Sequence, residues 1–75
     1  MTVMRIVNVQ TGSEVSRAEL ADDGTVTYHG GQTAAATVRT RMRDYGETEA
    51  AAVANLLRAG WSNGYLMVAL PDLHP

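Results

Sequence analysis

Few side chains in this sequence are of the types that carry out catalysis or bind metal ions. The imidazoles are those of His29 and His74, and there is no cysteine. A histidine base needs a nucleophile or carboxylate within reach, and a metal site needs three or four ligands. His29 is predicted to end a strand and His74 lies in a C-terminal tail, so nothing in the sequence brings them together. Both are interpreted as surface histidines.

Two short motifs have the composition of parts of ligand sites. The Asp-Asp-Gly sequence at 22–24 matches a fragment of a calcium loop, but the Thr-Val-Thr that follows supplies none of the further carboxylates. The glycines at 30–31 precede a predicted helix, a geometry that can bind phosphate, yet the Lys-Ser/Thr ending of nucleotide loops is missing. A hairpin turn and a strand-to-helix turn are favoured. We therefore predict no catalytic residue, cofactor or metal, and a non-enzymatic protein.

The candidate interaction residues are two aromatic and two cationic side chains. Trp61 and Tyr65 flank a predicted tight turn, and both residue types are enriched in binding hot spots. Arg39 and Arg43 share one helix face, while Arg41 lies roughly 200° from each. The alternatives remain open: Trp61 fills the core between a helix and the last strand, and the arginines form a solvated helix face.

Composition indicates a small core. The chain has 75 residues, 45% of them hydrophobic, but Ala and Val dominate this fraction, Ile6 is the one isoleucine and Phe is absent. Apolar burial stabilises by roughly 25 cal/mol per Å², so small side chains contribute little each. We expect a single domain over 1–75, with a tail at 71–75, that gains stability from a homo-oligomer or from docking onto a protein partner.

Charge and hydropathy exclude some classes of partner. The net charge of −2 argues against a general nucleic-acid or membrane-surface binder, and all six cations are arginine. Arginine usage fits either a GC-rich genome or bidentate contacts at interfaces. The N-terminus lacks a signal-peptide core and no apolar run is long enough for a membrane span. We expect a location in the host cytoplasm or in a particle assembled there.

The first half of the sequence predicts strands. A β-branched run at 3–9 predicts a strand with apolar groups on both faces, which indicates covering on both sides. Its apolar residues are Val3, Val7 and Val9 on one face and Met4 and Ile6 on the other. Residues 13–20 are compatible with a second strand or with a short helix begun by Ser16. After the Asp-Gly turn, 25–29 predicts a strand with Val26 and Tyr28 facing the core.

The second half predicts two helices and a last strand. The first helix begins near Thr33 and ends at Gly46; the second begins at the N-cap Thr48 and ends at Gly60. The predicted inner faces are Ala35, Val38, Met42 and Tyr45 in the first helix, and Ala50, Val53, Ala54, Leu57 and Trp61 in the second. Residues 65–70 predict a strand that Pro71 terminates.

These elements predict an α+β fold in the order β-β-β-α-α-β, or β-(α)-β-α-α-β. A small, mostly antiparallel sheet with a helical hairpin packed on one face buries both helical stripes.

Three segments carry a resemblance. Residues 15–20 (Val-Ser-Arg-Ala-Glu-Leu), 23–28 (Asp-Gly-Thr-Val-Thr-Tyr) and 60–65 (Gly-Trp-Ser-Asn-Gly-Tyr) are similar to small, uncharacterised proteins encoded by bacteriophages and prophages of high-GC actinobacteria. The resemblance covers most of the chain and implies a phage setting, but no functional residue can be transferred from it.

Three hypotheses for function follow. The first is a virion-associated structural or accessory protein that docks onto a capsid or a related phage assembly. The second is a host-directed inhibitor or adaptor that uses Trp61, Tyr65, Arg39 and Arg43 as its contact patch. The third is a small DNA-binding regulator, for which the second helix offers few side chains that read base edges. No small-molecule substrate is indicated.

Overall fold

A computed structural model describes residues 1–64 and 66–72. Its elements are β1 (Thr2–Asn8), β2 (Glu14–Leu20), β3 (Val26–Gly30), α1 (Thr33–Tyr45), α2 (Glu49–Ala59) and β4 (Met67–Pro71). The strands form one antiparallel sheet in the order β3-β2-β1-β4. The predicted α+β fold and its element order are confirmed. The segment that includes Ser16 is strand β2, so the alternative of a short helix begun by Ser16 is wrong.

Both helices pack on one face of the sheet, which is where the core lies. On this face β1 contributes Met4 and Ile6, and its neighbours contribute Ser16, Ala18 and Ala69. The helices contribute Ala34, Val38, Ala52, Val53 and Leu56. Apart from Met4, Ile6 and Leu56, the buried side chains are Ala, Val or Ser, which confirms the small core predicted from composition.

The opposite face of the sheet carries ion pairs. The expected covering of β1 on both sides, or nearly so, holds for Val3, which is half-buried, and for Val7, which is buried, but not for Val9. Arg5 and Arg17 both contact Glu14, at 2.8 and 2.9 Å, and Arg17 also pairs with Glu19. Val7 is nevertheless only 7% exposed, because Val68 and Glu14 lie beside it on the neighbouring strands. The apolar residues on this side of β1 are thus covered by cross-strand neighbours, while Val9 lies beyond the strand and is exposed.

The buried faces of the helices differ from the predicted stripes. In α1, Ala34 is buried beside Val38, while Tyr45, predicted to be inward, is 67% exposed. Residues 34, 38 and 42 follow an i, i+4, i+8 row, which turns away from position 45. In α2 the buried face is Ala52, Val53 and Leu56, so the prediction of an inward Ala54 is also wrong.

The helix ends lie where the sequence placed them. Gly46 and Gly60 are left-handed C-caps, and the Thr48 hydroxyl accepts a hydrogen bond from the Ala51 N–H at 3.2 Å. Glu49 occupies the first turn of α2, where a carboxylate interacts favourably with the helix dipole.

The start of α1 is capped from a neighbouring strand. The residue at its N-cap, Gln32, makes no side-chain capping bond. Instead, Ser16 of β2, 1% exposed, accepts a hydrogen bond from the Ala34 N–H at 3.1 Å and donates to the Gly31 carbonyl at 2.9 Å. One buried hydroxyl therefore satisfies both a free helical N–H and the turn that leads into the helix.

Gly30 permits the close crossing between β3 and β2 at this turn. A Cβ at this position would lie 2.9 Å from the Val15 carbonyl oxygen, and φ is +83°. Only glycine satisfies both conditions without a shift of the backbone.

The two edges of the sheet differ. The outer side of β4 is covered by the segment after α2, because Ser62 bridges to Val68 and the Ala69 N–H donates to the Trp61 carbonyl. β4 is Met67–Pro71, and Pro71 pairs with Met4, so the prediction that Pro71 terminates the strand is wrong. Residue 65, the predicted start of this strand, lies outside the described residues. Within residues 1–64 and 66–72, no segment pairs with the outer side of β3. None of the described helices is both long and apolar enough to span a membrane.

Candidate interaction groove

A groove of about 390 Å³ lies between one flank of α1, the last turn of α2 and Trp61, two residues after α2. Tyr45 and Trp61 provide its aromatic walls, and Leu56 forms part of the apolar base. The remaining lining residues come from the exposed flank of α1: Ala36, Thr37, Thr40, Arg41 and Asp44. We call this site the Trp61 groove.

Trp61 contributes to both the core and the groove. Its side chain is half-buried and packs against the core cluster, as the core-filling interpretation predicted. Its backbone is fixed on two sides, since its N–H donates to the Leu56 carbonyl and its carbonyl accepts from the Ala69 N–H. The exposed part of the indole is therefore held by a rigid backbone at the groove wall.

Arg41 is neutralised where it lines the groove. Its guanidinium carbon lies 4.1 Å from the centre of the Tyr45 ring, and its Nε donates to Glu47 at 2.6 Å. This hydrogen bond with Arg41 holds the pKa of the Glu47 carboxyl below its ordinary value of 4.5, and a second bond from Asn55 adds to the effect. At neutral pH the Arg41–Glu47 pair carries no net charge, which suits the groove to apolar groups.

The predicted interaction residues do not form one patch among the described residues. Trp61 lines the groove, but Arg39 lies on the opposite flank of α1, and Arg43 is exposed and pairs with Asp44 at 3.2 Å. Tyr65 lies outside the described residues. Arg39 and Arg43 therefore do not join Trp61 in this groove.

Tyr45 and Arg41 are two groove residues that the sequence patterns do not single out. Helical spacing predicts Tyr45 in the core, and Arg41 does not share the helix face of Arg39 and Arg43. The signal that indicates their contact is the i, i+4 spacing, which places a guanidinium over an aromatic ring on a helix surface.

The other candidate motifs form local contacts. Asp23 accepts a hydrogen bond from the Thr25 N–H at 2.9 Å within the predicted turn, and this bond lowers the pKa of its carboxyl. His29 lies on the open face of the sheet and contacts Glu19 at 3.1 Å. Among residues 1–64 and 66–72, no three His, Asp or Glu side chains are placed to hold a metal ion.

A second, smaller groove of about 230 Å³ lies beside β3. It is lined by Tyr28, Ala35, Arg39, Met42 and Glu49. Burial and a 2.7 Å hydrogen bond to Glu49 raise the pKa of the Tyr28 phenol, so the tyrosine stays protonated at physiological pH.

No protein-family model, curated protein or solved structure matches this chain.

Proposed function

We propose that this protein is a non-enzymatic accessory protein that docks onto a larger protein assembly through the Trp61 groove. The observation that carries the proposal is the groove lining, in which exposed Tyr45 and half-buried Trp61 flank the buried side chain of Leu56. Trp, Tyr and Arg are the residue types that dominate binding hot spots, and here they are adjacent. Tyr45 is more exposed than a structural role in so small a core requires.

The partner is expected to insert an uncharged, apolar side chain. The two charged residues that line the groove already have partners, since Arg41 pairs with Glu47 and Asp44 with Arg43. A charged group from the partner would have to be desolvated here without finding an unpaired counter-charge, which is costly. The phage resemblance of the sequence supports a virion as the assembly, and this setting is part of the proposal.

The pairing of the arginines with carboxylates also bears on the alternative functions. Arg5, Arg17, Arg41 and Arg43 all contact carboxylates, which leaves little positive potential for phosphates and disfavours DNA binding. No observation on the described residues favours a host protein over a virion protein as the partner, so the host-directed role is an outcome of the test below.

The test uses two exposed helical alanines as a matched pair. Ala36 lines the groove, whereas Ala54 is an exposed residue of α2 that does not line it. Ala36→Arg fills the groove without altering the core, and Ala54→Arg introduces the same side chain elsewhere. In particles purified from a host strain that carries the gene, we expect wild type and Ala54→Arg to co-sediment with the particles. Ala36→Arg is expected at less than a tenth of their level.

A photo-crosslinking amino acid identifies the contact in the same particles. Placed at Tyr45 it should crosslink to a particle protein, and placed at Gln10, an exposed residue of the β1–β2 turn, it should not. Absence of the wild-type chain from particles, or equal retention of both alanine variants, overturns the proposal. Crosslinking at Tyr45 to a soluble host protein, with none to particle proteins, replaces it with the host-directed role.

A further inference from the structure

The outer edge of β3 has the properties of a strand that pairs with another chain. Among the described residues nothing covers this edge, whereas the segment at 61–63 covers β4 at the other edge. Exposed edges are usually protected by lysine, proline or a bulge. The sequence of β3 is Val-Thr-Tyr-His-Gly, which contains none of these protective features and begins with three residues of high β-propensity.

The register identifies the backbone groups that point outward. The Ala21 N–H donates to the Thr25 carbonyl, and the Gly31 N–H donates to the Val15 carbonyl. Hydrogen-bonded pairs alternate along an antiparallel ladder, so Thr27 and His29 direct their backbone groups toward β2. Val26 and Tyr28 therefore direct their N–H and C=O groups toward the open edge.

We propose that β3 pairs antiparallel with β3 of a second copy of this chain, on a two-fold axis that passes midway between the Thr27 residues of the two copies. In this register Val26 of each copy exchanges backbone hydrogen bonds with Tyr28 of the other, so every outward group of these residues is satisfied. On the helix face, each valine lies opposite a tyrosine, and on the open face the two Thr27 side chains meet. Aromatic–β-branched and Thr–Thr pairs are favourable across strands, and no like charges face each other.

The helical layer leaves room for this arrangement. The helices pack mainly over β1, β2 and β4, and they contact β3 through Tyr28, whose hydroxyl donates to Glu49 at 2.7 Å. Tyr28, Ala35, Arg39, Met42 and Glu49 line the groove of about 230 Å³ beside β3. A two-fold axis perpendicular to the sheet keeps both helical layers, and both grooves, on the same face of the joined sheet. A second copy is the occupant that these features favour, because its edge is unpaired in the same way and one register satisfies the outward backbone groups of Val26 and Tyr28 in both copies at once.

The experiment is sedimentation velocity of the full chain and three variants across protein concentration, with circular dichroism to verify folding. Wild type should sediment as a species of about 16 kDa, twice the 8.0 kDa of the chain. Val26→Pro removes one outward N–H and should raise the dissociation constant at least tenfold, whereas Val26→Ala, which keeps that N–H, should change it much less. Thr27→Lys places two positive charges beside each other at the two-fold axis and should also raise the dissociation constant. Within one chain the new ammonium faces Glu19.

Each result decides the question. A wild-type chain that remains at 8.0 kDa at all concentrations overturns the proposal. So does a dimer that survives both Val26→Pro and Thr27→Lys, or one that Val26→Ala disrupts as strongly as Val26→Pro while the fold is retained. The Trp61 groove lies on the opposite flank of α1 from Tyr28, so a failure here leaves the docking proposal standing, and the reverse also holds.

Discussion

At the scale of single residues, Ser16 connects three parts of the fold. Its hydroxyl accepts from the first turn of α1 and donates to the carbonyl of Gly31, while its backbone belongs to β2. Side-chain caps contribute about 1 kcal/mol to a helix, and a buried group that loses its partner adds a desolvation cost of similar size. Ser16 should therefore contribute more to the free energy of unfolding than the volume of its side chain suggests.

We expect Ser16→Ala to lower the free energy of unfolding by about 1–2 kcal/mol, because the Ala34 N–H loses its acceptor in a buried site. The control is Ser13→Ala, at an exposed serine for which the change should stay within about 0.5 kcal/mol. Urea denaturation measures both. Equal effects for the two variants would show that the cap does not stabilise α1.

Residue-scale prediction from the sequence succeeded where chemistry is local. Thr48, Gly46 and Gly60 act at the helix ends as predicted, because capping depends on the nearest residues alone. The prediction that Tyr45 faces inward was wrong, because helical spacing alone cannot identify which side of the last turn of α1 the sheet covers. The cap supplied by Ser16 could not be predicted from the sequence either, since its partner, the Ala34 N–H, is 18 positions away along the chain.

At the scale of elements, Glu47 joins the two helices of the hairpin. It lies between α1 and α2 and accepts hydrogen bonds from Arg41 in the first helix and Asn55 in the second. Its pKa is lowered in the folded state, chiefly by the bond with Arg41. Its charged form therefore stabilises the fold at a pH above its unfolded pKa, and this stabilisation is lost as the pH falls through its folded pKa.

Glu47→Gln should lower the midpoint of urea unfolding at pH 7, and the difference from wild type should shrink as the pH falls below 4.5, the ordinary pKa of glutamate. Asp44→Asn is the control, because the Asp44–Arg43 pair is exposed and contributes little. A difference that is constant from pH 7 to pH 3 would assign the effect to packing and not to charge.

The order and type of the elements were predictable because periodicity changes clearly at Thr33 and turn residues separate the strands. The charged open face was not predicted. Apolar residues on both sides of β1 indicated covering on both sides, and the strand order shows that cross-strand neighbours supply this covering at Val7.

At the scale of the whole molecule, the small core and the unpaired edge of β3 have a common consequence. A core built mostly of Ala and Val side chains gives a small margin of stability. Pairing through β3 would add to it, since only folded copies can dimerise.

The thermal midpoint of the wild-type chain should therefore rise with protein concentration, whereas that of Val26→Pro should stay constant. Differential scanning calorimetry over a hundredfold range of concentration measures this. A wild-type midpoint that does not move with concentration contradicts dimerisation through β3.

The cover over β4 determines how far such pairing can extend. Chains with two open sheet edges can add copies without limit and grow into fibrils. Here the backbone of Trp61 and Ser62 already pairs with β4 at the far edge. If β3 pairs as proposed, growth would therefore stop at a closed two-fold dimer, and the strongly β-forming residues of the β3 edge would not lead to amyloid-like polymerisation.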